Sequence, residues 1–482
     1  MKVAGIYYYD TILDPKIQHA VSEPYGLEKI LAVAEAEGHE AELFLPLERK
    51  EKGKFVSLTE EELIERVADF NPDLACFSLY TCQYPAGKRI AARLKEKNPD
   101  VINVAGNRYP SFLCDRIELP FDFFIINEGE DTFQKLLQEI GKARIHSKIN
   151  FSEIKGLIYR NNGQAVFTGP NKRIQEMDSF PPAMRFPEIL KQVYKGISIP
   201  PLSQEPHYAL AEYSRGCYGE CDFCDNKEVW QKKLTFRSPQ KVVEELFQLQ
   251  EKGVDIIYLI DLNFTASPKK AAELCREMLH QGLKMSWYCM SNIETADGQK
   301  GEELLYLMKE AGCYKIAWGI EATDNSSLEK MNKKIRGKIL RQEQASRVLE
   351  FSLQAGLLNQ GYYIIGFPWE TAESIQAGAE KLPRLPLHQL NVGIFTPIPL
   401  SSFFERGLKL DSELEKHDRN HLVYQHSSLD HQTLKTLQEK MHREFYESQA
   451  YLERVRQSCR IDSRFRTAFE DYFAFLGKEV RV

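Results

Sequence analysis

Three cysteines stand together in Cys217-Tyr218-Gly219-Glu220-Cys221-Asp222-Phe223-Cys224, spaced C-x3-C-x2-C. Thiolates are soft, polarisable ligands that select iron–sulfur clusters, zinc or Cu(I). A structural zinc site takes four ligands, usually with a second Cys or His pair close by. Here the next cysteines are Cys275 and Cys289, and the only nearby histidine is His207. Chance clustering of core cysteines fits poorly with so polar a loop, which also holds Gly216 and Gly219. A [4Fe-4S] cube ordinarily takes four cysteines, so three would leave one iron open to a ligand other than protein. The motif reads as a reaction site and not as an electron store.

The elements that must position this loop alternate regularly along the chain. Before it, short apolar runs at 2–8, 41–45, 74–79, 101–105 and 123–126 read as strands. Helical spacing of Leu27, Ile30, Leu31, Val33 and Ala34 predicts a helix over 25–38 that ends on Gly38. Further helices are expected at 59–70, opened by Thr59 and Glu60 to Glu62, at 85–97 and at 131–140. Such alternation predicts an α/β fold with a doubly wound, Rossmann-like parallel sheet over residues 1–145. Ligands of such sheets bind beyond the carboxyl ends of the strands. Residues 146–205 read as a linker with a small hairpin (156–160 and 165–168 around Asn161-Asn162-Gly163) and several prolines.

From residue 208 the alternation resumes with longer helices. Strands are expected at 208–213, 256–260, 285–289, 315–319, 361–365 and 389–395, with a helix at 238–252 capped by Ser238 and Pro239. Six strand–helix units over 206–400 predict a partial (β/α)6 barrel of the TIM type, whose chemistry gathers at the carboxyl ends of the strands. The cysteine loop follows the first of these. Residues 401–482 read as a charged, helical C-terminal cap.

A chain of 482 residues is too long for one core and implies two or three domains. A net charge of −6 and a pI near 6.1 argue against a broad basic face for nucleic acid. No apolar run approaches the roughly 20 residues that a membrane helix needs. The start, from Met1 to Ile6, reads as a buried strand and not a signal peptide. Ten cysteines without an export signal suit a reducing, cytoplasmic setting.

Cys217, Cys221 and Cys224, with Phe223 just before the last, resemble the signature of the radical S-adenosylmethionine (radical SAM) enzymes. The resemblance implies a [4Fe-4S] cluster whose open iron binds the amino and carboxylate groups of SAM. The reduced cluster then cleaves the sulfonium to a 5′-deoxyadenosyl radical, while the protein positions and shields the cofactor. The run Tyr258 to Thr265 is similar to the family's acidic turn after the second barrel strand. Gly319-Ile320-Glu321 with Leu328 to Lys333, and Gly361 to Pro368 with Glu370-Thr371, resemble its fourth and fifth strand segments. By that likeness Asp261, Ser291, Glu321 and Gly366 are candidates to contact SAM.

The first sheet resembles the cobalamin-binding domain that precedes the barrel in one radical SAM class. The likeness rests on Asn71-Pro72-Asp73-Leu74 through Ser78, Gln83-Tyr84-Pro85, and Asn127-Glu128-Gly129-Glu130-Asp131-Thr132-Phe133. Ser78, Thr81, Gln83, Gly106, Glu128 and Gly129 are its candidate cobalamin contacts. The Asp-x-His-x-x-Gly motif that supplies a histidine to cobalt is absent, and Ala105-Gly106-Asn107-Arg108 departs from the usual paired glycines and histidine. The lower cobalt face would then be empty, hold water, or meet a side chain from 80–84; His19 is a lone alternative.

Together the resemblances imply a cobalamin-dependent radical SAM enzyme, methylating an unactivated carbon or phosphorus of a small-molecule or peptide substrate. An electron donor such as flavodoxin or ferredoxin is implied; no membrane and no nucleic-acid partner is expected. Cyclisation, rearrangement, or transfer of another SAM-derived group are the alternatives within enzymes, and a cobalamin or cluster sensor is the alternative outside them. Cys76, Cys82 and Cys114 raise methylthiolation with a second cluster, although Cys76 sits in an apolar strand. His417, His421, His426 and His431 read as a solvated helix.

Overall fold

The computed structural model describes residues 1–8, 23–49, 55–113, 117–143, 150–186 and 207–475. His19 and Cys114 lie outside the described residues. The chain forms two units, Met1–Gln192 with Ser412–Asp418, and Val193–Asp411 with Arg419–Val482.

In the first unit β1 (Lys2–Ile6), β2 (Glu40–Phe44), β3 (Leu74–Ser78), β4 (Ile102–Gly106) and β5 (Phe123–Ile125) run parallel, in the order β2-β1-β3-β4-β5. Alternate side chains leave opposite faces of each strand. Val3, Leu74, Cys76, Val104 and Ile125 pack against Leu31, Phe133 and Leu137 of helices Tyr25–Ala36 and Glu130–Ala143. Ala4, Phe77, Ala105 and Phe124 pack against Ile64, Val67, Ile90 and Leu94 of helices Glu60–Phe70 and Tyr84–Lys97. Both faces being covered, the strands read as unbroken apolar runs. Helix Glu60–Phe70 starts on a reciprocal cap: Glu62 N–H donates to Thr59 Oγ1 at 3.2 Å, and Thr59 N–H donates to Glu62 at 2.7 Å.

The expected hairpin forms, but it does more than link. β6 (Leu157–Asn161) pairs antiparallel with β5, and β7 (Gln164–Phe167) pairs with β6, so the sheet has seven strands. The turn sits on Asn162 and Gly163, both with positive φ (51° and 81°), as a tight hairpin of two residues requires. Leu157 and Ile158 are fully buried by this addition, which gives the segment a core role its proline content hides.

In the second unit β8 (Tyr208–Ala211), β9 (Ile256–Leu259), β10 (Ser286–Ser291), β11 (Cys313–Glu321), β12 (Leu358–Ile365) and β13 (Gln389–Ile394) run parallel in chain order. Helices Pro239–Glu251, Pro268–His280, Gln299–Glu310, Gln342–Gln354 and Ala372–Ala379 connect them. β8 and β13 do not pair, so the barrel is open. The free edge of β13 would expose main-chain groups; the C-terminal helices cover it. Gln438 donates to Val392 O at 2.5 Å, Leu390 N–H donates to Tyr446 at 3.0 Å, and Tyr451 donates to His388 O at 3.1 Å.

The C-terminal segment is less helical than its charge pattern predicts. Apart from Ser402–Glu405 and a single turn at Leu414–Lys416, residues 406–430 are irregular; helices follow at His431–Glu447, Gln449–Ile461 and Arg464–Phe475. His417, His421 and His426 therefore do not share a helix. His426 accepts N–H groups of Ser428 and Leu429 at 3.1 Å, and the His421 and His431 rings stack at 5.0 Å. Among the described residues no helix is long and apolar enough to cross a membrane.

Candidate functional site

The cysteine loop is closed at its base by a two-residue ladder, Ser214–Arg215 against Thr235–Phe236. At the turn into it, a Cβ on Gly216 would fall 1.9 Å from Lys233 O, and φ there is +106°. Only glycine fits. Asp261, at the end of β9, is 1% exposed and accepts the Tyr213 N–H at 3.1 Å and the Ser214 hydroxyl. It thus ties the exit of β8 to that of β9. Beneath lie two buried ion pairs, Arg215 with Glu212 (2.8 Å) and Arg237 with Glu245 (2.6 Å). Burial pushes the Asp261 carboxyl up to about 7, against the hydrogen bonds it accepts.

Cys217 and Cys221 are buried and Cys224 is half-buried. Gly219 lies between two of the sulfurs: a Cβ there would sit 3.2 Å from Cys217 Sγ and 3.8 Å from Cys221 Sγ. Its N–H points at Cys217 Sγ, 3.2 Å away. The loop is pinned by a segment more than a hundred residues later. Glu220 N–H donates to Lys334 O and Asp222 N–H to Met331 O, both at 3.0 Å, while the Asn332 amide donates to Glu220 O at 3.0 Å. Among the described residues no three Cys, His, Asp or Glu converge on a single ion.

A buried polar chain runs from the thiols along the ends of β10 and β11. Lys333 Nζ, 3% exposed, donates to Asn292 Oδ1 at 2.9 Å and to Glu321 Oε1 at 3.1 Å. The Asn292 amide lies 3.8 Å from Cys217 Sγ. Glu321 holds a left-handed φ of 58° at a register shift against β12. A Cβ on Gly319 would strike Glu321 at 2.5 Å and Lys333 at 2.9 Å, so the glycine makes room for the pair. Burial opposes the Lys333 charge, but Glu321, Cys221 and Glu294 outweigh it and hold the ammonium above its ordinary range. Burial raises the Cys217 and Cys221 thiols, with Lys333 working against it.

Glu294 is the odd member. Both of its carboxylate oxygens are buried and, among the described residues, no other residue donates to them. Burial raises its pKa, opposed by Lys333. An orphaned carboxylate of this kind costs stability unless something else donates to it. SAM would bring an ammonium and ribose hydroxyls as donors, with a sulfonium charge beside them, so the donors the protein leaves out match that cofactor's chemistry.

Of the residues singled out from sequence, the three cysteines and Glu321 meet in this cluster. Ser291 ends β10; its buried hydroxyl makes no hydrogen bond of ordinary geometry and lies beside the Cys289 thiol. Gly366 follows β12 with φ +84°, its carbonyl accepting the Tyr424 hydroxyl at 2.5 Å. Leu434 would stand 3.0 Å from a Cβ at that position. Sequence reasoning missed Asn292, Glu294 and Lys333. Their signal was adjacency, two following Ser291 closely and one closing the segment after β11.

The cobalamin candidates gather at the carboxyl edge of the first sheet. Ser78 and Gly106 are register partners at the ends of β3 and β4, and Ser78 Oγ accepts the Asn107 amide at 2.9 Å. Thr81 and Gln83 occupy the next turn; the Gln83 side chain accepts Tyr80 N–H at 3.1 Å and hydrogen-bonds Tyr7. Gly129 opens helix Glu130–Ala143, and Asn107 and Asn127 both take positive φ. Glu128 is already engaged, accepting Arg173 Nε at 2.6 Å and Ile174 N–H at 3.0 Å. Cys76 packs within the core of β3, where burial pushes its thiol up to about 12, as its apolar surroundings suggested.

Residues 19–137 match the family model of the B12 binding domain, and residues 211–382 that of the Radical SAM superfamily. The chain is 28% identical over 355 residues to an uncharacterised methyltransferase of Pyrococcus horikoshii, spanning 73% of this chain and 72% of that one. It is 26% identical over 404 residues to the anaerobic magnesium-protoporphyrin IX monomethyl ester cyclase of Rubrivivax gelatinosus, spanning 82% and 70%. Its fold is similar to that of the radical S-adenosylmethionine methyltransferase TsrM of Kitasatospora setae, with a TM-score of 0.63, 17% identity and 83% and 75% coverage. The chain belongs to the radical SAM superfamily, in the group that carries a B12-binding domain ahead of the radical SAM domain.

Proposed function

We propose that this enzyme transfers a methyl group to an unactivated carbon, or phosphorus, of a small-molecule or peptide substrate. The observation that carries the reading is the three-thiol loop whose surroundings include an orphaned carboxylate. When bound, the cluster with SAM supplies a 5′-deoxyadenosyl radical and cobalamin supplies a transferable methyl group. Cys217, Cys221 and Cys224 hold the cluster. Lys333 and Asn292 place a positive charge and an amide donor beside it, where a negatively charged cluster and a carboxylate gain most in a low-dielectric setting. Glu294 and Glu321 accept from the donors of SAM, Ser291 and Gly366 border the same strand ends, and Asp261 acts by bracing the loop.

Ser78, Thr81, Gln83, Gly106 and Gly129 form the cobalamin edge. Glu128 shapes that edge through Arg173. Electrons come from a flavodoxin- or ferredoxin-like donor in the cytoplasm. Cyclisation on the same cofactors is the second reading, favoured by the similarity to the Rubrivivax cyclase.

The test uses full-length protein reconstituted anaerobically with iron, sulfide and cobalamin. Given SAM and a strong reductant, it should hold about four irons per chain, show corrin absorbance and release 5′-deoxyadenosine. Replacing Cys217, Cys221 and Cys224 together by alanine should remove the iron and the release while corrin stays bound. No release, with or without cell extract as a source of substrate, would refute the radical reading and leave a sensor. Eight irons without corrin would point to methylthiolation instead.

A further inference from the structure

The inner and outer faces of the barrel strands differ in an unusual way. Trp287, Cys289 and Ser291 of β10 and Asn359 of β12 face the helices and are buried; Asn359 donates to Leu349 O of helix Gln342–Gln354. The alternate residues face the lumen, where a closed barrel would interdigitate them into a solid core. Here Tyr258, Ile260, Tyr288, Met290, Tyr362 and Ile364 are all only half-buried. These side chains keep accessible surface, so this side of the strands is not packed solid.

The floor of the lumen is built. Tyr258 and Tyr288 are register partners on β9 and β10, with rings stacked 4.4 Å apart at 4°. Parallel strands project the two hydroxyls the same way, and among the described residues neither hydroxyl has a hydrogen-bond partner. On the closed face of Tyr288 lies the ammonium of Lys315, 4.3 Å from the ring centroid. Lys315 is 1% exposed, its Nζ has no hydrogen-bond partner among the described residues, and burial pushes its pKa down to about 7. A cation on one face of a phenol draws charge from the ring and makes its hydroxyl a stronger donor. Of the carboxylates at the strand ends, Asp261 is engaged by Tyr213 and Ser214 and Glu321 by Lys333, and Glu294 lies near Cys217 and Lys333.

Two adjacent donors over a buried lysine that has no counter-ion among the described residues fit an anionic acceptor with two oxygens, whose charge would favour the ammonium form. Ile260, Met290 and Ile364 form an apolar wall on the way to the strand ends. A phosphate dianion would need more donors than this floor offers; one carboxylate matches it. Tyr258 lies three residues below Asp261, about 10 Å along the strand. A ligand seated on the floor thus has about 10 Å of body before it reaches the level of the cysteine loop.

We propose that the barrel lumen binds a monocarboxylate with an apolar body, its carboxylate on the hydroxyls of Tyr258 and Tyr288 and its far end at the strand ends. The inference rests on the radical SAM reading above, which makes that far end the reacting one. It names the substrate class for that reaction.

Binding is measured by fluorescence and calorimetry on the reconstituted holoenzyme with 2-naphthoate, 2-naphthylmethanol and 2-naphthyl phosphate as probes. Naphthoate should bind saturably at one site, at least about tenfold tighter than the alcohol, the worth of one charge-assisted hydrogen bond. Tyr258→Phe/Tyr288→Phe and Lys315→Met should each remove that preference, and Met290→Trp should block the site. Iron content of each variant reports whether its barrel has folded; a variant that loses iron is replaced by the single Tyr288→Phe change. Equal affinity for acid and alcohol, a tighter phosphate, no binding, or a preference untouched by the tyrosine changes would each overturn the proposal. Release of 5′-deoxyadenosine is scored separately, so naphthoate selectivity without release would sink the radical reading and leave the carboxylate site standing.

Discussion

Asp261→Asn tests the brace beneath the cysteine loop. Asp261 is buried and spends its oxygens on the Tyr213 N–H and the Ser214 hydroxyl. Asparagine can keep both contacts, its carbonyl accepting from Tyr213 while its amide donates to the Ser214 oxygen. The change therefore removes a titration and little else. Burial lifts the carboxyl from 3.8 to about 7, a rise of about three units at about 1.4 kcal/mol each. With the folded pKa raised, the folded state holds the proton more tightly than the unfolded chain. Stability is then complete below pH about 4 and falls as pH rises to about 7, by about 4 kcal/mol. The asparagine does not titrate, so the variant should gain on the parent by up to about 4 kcal/mol at pH 8 and by nothing near pH 4. For a unit of this size that is about 8–16 °C in Tm. Anaerobic thermal melts of both proteins at pH 5, 6.5 and 8, followed by circular dichroism, read the difference. A gap that does not widen with pH would refute the buried charge. Loss of iron in the variant with an unchanged melt would mean that Asp261 serves the cofactors directly.

Three further outcomes follow from the packing. Gly216→Ala places a methyl 1.9 Å from Lys233 O at a left-handed φ, so iron content after reconstitution should fall to a small fraction of the parent's. Lys333→Met leaves Glu321 charged and buried, at a cost of about 3–5 kcal/mol, and the double change with Glu321→Gln should recover most of it in thermal melts. Arg173→Ala removes the guanidinium from the buried Glu128 carboxylate. It should lower the melting transition of the first unit by a similar energy, with corrin retention after gel filtration falling as the edge loosens.

Much of the frame was legible because its causes are local. Thr59 with Glu62, Ser238 with Pro239, and Gly38 mark helix ends through bonds made within one turn. Strands covered on both faces must be apolar throughout, which is why β1 and β3 could be placed within a residue or two. Residues 406–430 failed because a charged sequence allows a helix without enforcing one; tertiary contacts such as Tyr424 with Gly366 O hold that segment irregular. β6 and β7 looked like linker because nothing nearby shows that β5 offers them an edge.

By itself the sequence determined the cysteine triplet, the order of strands and helices and the two domain types, since each rests on residue identity and short-range spacing. Only the tertiary structure decided which charges meet. Lys333 reaches Glu321 and Asn292 because β10 and β11 are neighbours, and Glu128 is occupied by an arginine 45 positions away. Among the described residues no neighbour donates to Glu294, and Lys315 lies in an apolar strand beneath a tyrosine of the strand before it. Electrostatics depends on distance and burial, and neither is a property of sequence order.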